Sequence, residues 1–115
     1  MELERIIPDW AKTLPLAVTV CDADARIIYM NERSQATFSP DKDIIGTDLL
    51  QYHPERAQKM IRQMLATGET NTYTIRKRGQ RKIIHQAPWY DEDGKIAGLV
   101  ELSIPILDDI PHYER

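Results

Sequence analysis

The chain has 115 residues, of which 42% are hydrophobic and 29% charged, and a formal net charge of −3. That length supports one core of ordinary size and excludes two independently folded domains. The interleaved charge excludes the basic face of a direct nucleic-acid binder, and the single cysteine, Cys21, excludes both a disulfide framework and a cysteine-based structural zinc site.

The opening MELERIIPDW carries acids and a proline where a signal peptide has an apolar run. No stretch nears the roughly 20 apolar residues of a membrane span. A reduced, cytoplasmic setting without membrane contact is expected. Within residues 1–13, Leu3, Ile6, Ile7 and Trp10 recur at near-helical spacing, a series that Leu14 continues. They predict a helical cap whose apolar stripe meets either a second copy or its own domain.

Two β-branched runs, LAVTVC (16–21) and RIIYM (26–30), flank the turn-forming cluster Asp22-Ala23-Asp24-Ala25 and predict a hairpin. Asn31 suits the cap of a short helix, ERSQATF. Ser39 and Pro40 stand as cap and first residue of a further helical turn that Gly46 stops. Thr47 or Asp48 then caps a turn over DLLQY.

The stretch YHPERAQKMIRQML (52–65) is the best-specified element. Ala57, Met60, Ile61, Met64 and Leu65 form one apolar stripe at i, i+3, i+4, i+7 and i+8. Glu55 and Lys59 make an i,i+4 pair in the favourable order. Pro54 suits the first helical position and Gly68 a left-handed cap. Three strands follow: Thr70–Lys77, Arg81–Tyr90 and Ile96–Ile106, joined by turns at Gly79-Gln80 and Asp91-Glu92-Asp93-Gly94. The basic cluster Arg76-Lys77-Arg78 with Arg81-Lys82 reads as a solvated hairpin tip. Residues 108–115 form a tail that is frayed or leads toward a partner.

Strands at both ends with helices between them give an α+β domain, with helices on one face of an antiparallel sheet and a small apolar pocket between. The hairpin CDADARIIYMNE, the segment IIGTDLL and the closing DEDGKIAGLVELSIPI, in this order and spacing, resemble the PAS family of sensory domains. The resemblance covers residues 14–107. Ala25 stands where many relatives carry glycine. The likeness implies a five-stranded antiparallel sheet in the order 2-1-5-4-3, a ligand cavity between sheet and helices, and output through terminal segments and dimer contacts. With no catalytic, kinase or DNA-binding segment in these residues, a homodimer and an unknown protein partner are expected.

Tyr52-His53-Pro54 is similar to the helix start through which some haem-binding PAS regulators hold haem, which makes His53 a candidate axial ligand. Those relatives use a cysteine or methionine on the later strands as the opposite ligand. Here Cys21 is on the first strand and the last methionine is Met64, so the iron would be five-coordinate or take another group such as His85. The alternative is that His53 bonds a nearby backbone group and packs. For strand 81–90, Ile84 and Gln86 face one way and Ile83, His85 and Ala87 the other, and isoleucines on both sides leave the inward face open. One of Trp89 and Tyr90 points inward.

Candidate cavity residues are Val18, Val20, Ile28, Met60, Met64, Tyr73, Ile75, Trp89 and Leu102; plain core packing is the alternative for the two methionines. His112 is expected in solvent. The glycines are scattered at turns, no serine or cysteine sits in a nucleophile motif, and the acids cluster at turns. Enzyme activity is therefore not expected. Two functions follow: a sensory domain that binds a small apolar ligand or haem, or a ligand-free module for dimerisation or partner docking.

Overall fold

The computed structural model describes residues 7–115. Leu3 and Ile6 of the N-terminal stripe lie outside the described residues. A single turn of helix, α1 (Trp10–Thr13), precedes β1 (Ala17–Asp22) and β2 (Ile27–Met30). Helix α2 (Glu32–Phe38), a 3-10 turn (Leu49–Tyr52) and helix α3 (Glu55–Thr67) follow, then β3 (Asn71–Lys77), β4 (Gln80–Tyr90) and β5 (Ile96–Ile106). The five strands form one antiparallel sheet in the order β2-β1-β5-β4-β3. Among the described residues no helix is long and apolar enough to cross a membrane.

Helix α3 buries Ile61 and Met64 against Cys21 of β1 and Leu99 of β5, with Leu49, Leu50 and Leu65 alongside. That stripe, rather than intrinsic helix propensity, holds the helix in place. Pro54 occupies the cap position rather than the first helical position, so the helix starts one residue later than expected, and Gly68 closes it at φ +82° with its N–H on the Met64 carbonyl.

Both acidic turns are built alike. The Asp22 carboxylate accepts from the Asp24 and Arg26 N–H groups, and that of Asp91 from the Asp93 and Lys95 N–H groups. Each turn then needs one left-handed residue, Gly94 at φ +79° or Ala25 at φ +62°. The second accepts a modest strain where glycine would be at ease. The helical turn expected at Ser39-Pro40 amounts to one hydrogen-bonded turn, with the Lys42 N–H on the Ser39 carbonyl at 3.4 Å. No helix continues from there to Gly46, because the Asp43 side chain takes the Ile45 N–H, and a local side-chain bond of this kind competes with a helical one.

Asn31 ties the N-terminal half together. It is 1% exposed. Its Oδ1 accepts from the Val18 and Ser34 N–H groups, both at 3.0 Å, while its Nδ2 donates to the Ala11 and Leu16 carbonyls at 2.9 and 2.8 Å. One side chain thus caps α2, pairs with β1 and holds the end of α1. Each of those bonds is worth about 1 kcal/mol net, and a group left unpaired costs more. Asn31→Ala is expected to lower unfolding stability by about 3 kcal/mol in urea melts. Asn31→Asp, which keeps the acceptors and lacks the donors, should also destabilise; a variant as stable as the parent would refute this role.

Candidate functional site

Alternation along the strands decides which side chains meet the helices. Cys21 and Leu99 pack under α3, so their register partners and every second residue share that face. One transverse row on it runs Met30, Thr19, Glu101, Gln86, Asn71, one residue from each strand. The flanking rows are largely apolar: Ile27, Cys21, Leu99 and Pro88 on one side, Ala17, Ser103, Ile84 and Tyr73 on the other.

A cavity of about 530 Å³ lies over the middle of this face. Its floor is Thr19, Cys21, Leu99, Glu101 and Gln86, with Ile27 and Met30 at the β2 side. Ile61 of α3, Leu49, Tyr52 and His53 form the far wall, and residues 38–42 with Ile44 form the mouth. The floor's polar groups are ordered by their own hydrogen bonds. A carboxylate only accepts, so Glu101 Oε2 takes the Gln86 amide N–H at 2.7 Å, which turns Gln86 Oε1 toward the Asn71 Nδ2 donor at 3.0 Å. The Thr19 hydroxyl is bonded to Ser34 Oγ of α2. Ser39 Oγ, at the mouth, is buried without a partner among the described residues.

His53 lines the cavity, with Nδ1 2.9 Å from the Leu49 carbonyl. A carbonyl accepts, so the proton belongs on Nδ1 and the lone pair on Nε2. Cys21, 1% exposed, has its thiol pushed up to about 11, chiefly by burial.

A family model described as the PAS fold matches residues 11–109. The chain belongs to the PAS family. The sheet order and helix placement are those of PAS sensory domains. Among solved structures, the chain resembles the VqmA dimer of Vibrio cholerae, described as a LuxR-type receptor. The TM-score is 0.67 at 20% identity, over 94% of this chain and 52% of that one. The PAS domain of the histidine kinase ThkA matches with a TM-score of 0.63 at 17% identity, over 77% of this chain and 97% of that one. The Aer2 receptor of Vibrio cholerae, a dual PAS-haem oxygen sensor, matches with a TM-score of 0.59 at 14% identity, over 80% and 95%. The chain spans about half the length of the VqmA chain. A comparison with curated protein sequences finds no match.

In this PAS domain, His53 is the one residue expected at the cavity that does line it. Val18, Val20 and Leu102 alternate onto the other face of the sheet, as does Trp89, whose indole covers Gly98 and donates to the Cys21 carbonyl at 3.0 Å. Ile28 lies at the irregular β1–β2 pairing, between the lining residues Ile27 and Met30. Tyr73 and Ile75 share the helix-side face but sit on the edge strand β3, outside the lining. Met64 is core behind the cavity wall, and Met60 is 39% exposed. His85 faces away from the cavity and bonds Thr72 Oγ1 at 2.7 Å, so it is no opposite ligand to His53. His112 is in solvent beside Glu114.

The polar floor was missed. Its signal was Glu101, a lone charge inside the apolar run GLVELSI, since a polar residue inside a core strand is the informative exception.

The Cys21 thiol should resist iodoacetamide at pH 8 in the folded protein and react fully in urea. Its folded pKa is raised, so the stability it contributes is intact below pH 9 and is lost as pH climbs from 9 toward 11. Cys21→Ala should abolish that part of the alkaline loss in melts recorded across the same range.

Proposed function

We propose that this PAS domain is a sensory binding module whose ligand is a small molecule with an apolar body and at least one hydrogen-bond donor. The observation that carries this reading is the polar row across the cavity floor. Glu101 spends Oε2 on Gln86, and among the described residues Oε1 has no hydrogen bond. A carboxylate set between apolar rows favours a donor on the ligand, and charge-assisted bonds are the strong ones. Ser39 Oγ supplies a further unused polar group at the mouth. Ile27, Ile44, Leu49, Ile61 and Leu99 supply the apolar walls. VqmA, which this chain resembles, has been solved bound to DPO, a ligand-bound precedent for the fold.

Binding would act as a population shift: contacts to both α3 and the floor favour one arrangement of the terminal segments. The readout is a protein partner or a second copy of this chain, and the VqmA dimer supports the second. No catalytic step is proposed, because Asp22, Asp43, Asp48 and Asp91 are spent on backbone N–H groups of turns. Titration with a panel of neutral aromatic amides, followed by amide resonances, should move Thr19, Gln86 and Glu101 first. Glu101→Gln should weaken the best binder by about tenfold. A panel that leaves those three residues unmoved would sink the reading.

Haem is a second reading, favoured by His53. Its Nδ1–H on the Leu49 carbonyl leaves Nε2 as the donor, the arrangement that orients a ligating imidazole. In that case His53 would hold the iron, and haem would supply gas binding, as the name of the Aer2 sensor suggests for that protein. The donor fits; the floor, with Glu101 and Gln86 under the cavity, suits a polar ligand better. Adding haemin should decide. A Soret shift present in the parent and absent in His53→Ala supports haem, and no shift in either protein ends that reading.

A further inference from the structure

We propose that a second pocket, between α2 and the hairpin end of the sheet, binds a phosphate-type oxyanion carried on a small molecule. The pocket holds about 360 Å³ and shares no lining residue with the main cavity. Four cations line it: Arg33 from α2, Lys77 at the end of β3, Arg78 from the β3–β4 turn, and Lys82 from β4. No acidic side chain is among its lining residues.

Two features set this apart from an ordinary solvated charge cluster. First, the cations have no acidic partner among the described residues. The neighbouring Arg76 is paired with Asp108 at 3.1 Å, whereas none of the four forms an ion pair among the described residues. The chain carries 18 acids and a net charge of −3, so acidic side chains are not scarce. Gathering four like charges around one hollow costs Coulomb energy that an anion would recover. Second, Ser103 lies in the pocket lining, is 3% exposed, and its Oγ is buried with no hydrogen-bond partner among the described residues. A buried hydroxyl without a partner is uncommon and unfavourable. An oxyanion oxygen accepts from a hydroxyl, and the surrounding charges select an anion over water or a neutral acceptor.

Ligand class follows from the two pockets together. Glu101 in the main cavity repels an oxyanion, and the cations of this pocket repel an ammonium group, so each pocket rejects the other's ligand. The hollow is small and flanked by Ala36 and Pro105, which fits a diphosphate or a small phosphate ester better than an extended chain.

The test is a titration of the isotope-labelled protein with inorganic pyrophosphate, at ionic strength held constant with sodium chloride. Saturable shifts are expected at Arg33, Lys82 and Ser103, with a dissociation constant on the order of 1 mM or tighter. The double variant Arg33→Gln/Lys82→Gln should weaken binding by about tenfold or more, and Ser103→Ala, which keeps every charge, by roughly threefold or more. Lys59→Gln, on the exposed face of α3, should change nothing. Non-saturating shifts spread equally over Lys59 and Arg62 would mean general charge screening and overturn the site. Unaltered affinity in the double variant would do the same. A short DNA duplex that binds through the same residues far more tightly than pyrophosphate would overturn the small-molecule assignment. Because the aromatic-amide titration reports on Thr19, Gln86 and Glu101, failure here leaves that reading standing.

Discussion

The buried side chain of Asn31 is the constraint on which both pockets depend. It satisfies two N–H groups and two carbonyls that no helix or strand ladder serves. An amide alone can do this, because it offers two donors and two acceptor sites on one short stem. By fixing the start of α2 against β1, it sets what α2 carries. Ser34 meets Thr19 on the cavity floor, Phe38 and Ser39 reach the mouth of the main cavity, and Arg33 reaches the second pocket. A helix of seven residues has little stability of its own, so this anchoring is what makes it a reliable wall.

The sheet does the rest by strict alternation. A single register places Thr19, Glu101 and Gln86 side by side, and a slip of one residue would bring Val18, Leu102 or Ala87 into the floor instead. The floor is therefore as specific as the pairing that aligns it. The hydrogen-bonded sequence Glu101, Gln86, Asn71 also fixes the amide orientations, leaving a site with defined donors and acceptors before any ligand arrives. Opposite polarity then separates the two pockets. One is apolar with a carboxylate in its floor, the other cationic with an unused hydroxyl.

Much of the fold was legible. Patterning around Ile61 and Met64 specified α3, Gly68 its end, and the two acidic clusters their hairpins, since each rests on interactions within a few residues. The Ser39-Pro40 turn stops short of Gly46 because the Asp43 side chain, a competitor within the same segment, takes the Ile45 N–H. Cavity residues were harder. Val18, Val20 and Leu102 are apolar but face away from the helices, whereas Thr19, Glu101 and Ser103 beside them are polar and face the helices, so hydrophobicity pointed to the wrong face. Both faces of β1 are buried, which removes the polar alternation that ordinarily labels a strand.

The sequence by itself determined the element types, their order, the helix stripe, the turns and the resemblance to PAS domains, because these follow from spacing and from side chains acting on their own backbone. Only the tertiary structure decided which face of the sheet meets the helices. It alone brought Glu101 beside Thr19 and Gln86, and Arg33 beside Lys77 and Lys82. Those groupings join residues 15 to 82 positions apart, and no local pattern encodes them. They exist because strand register and the anchoring of α2 bring distant positions together.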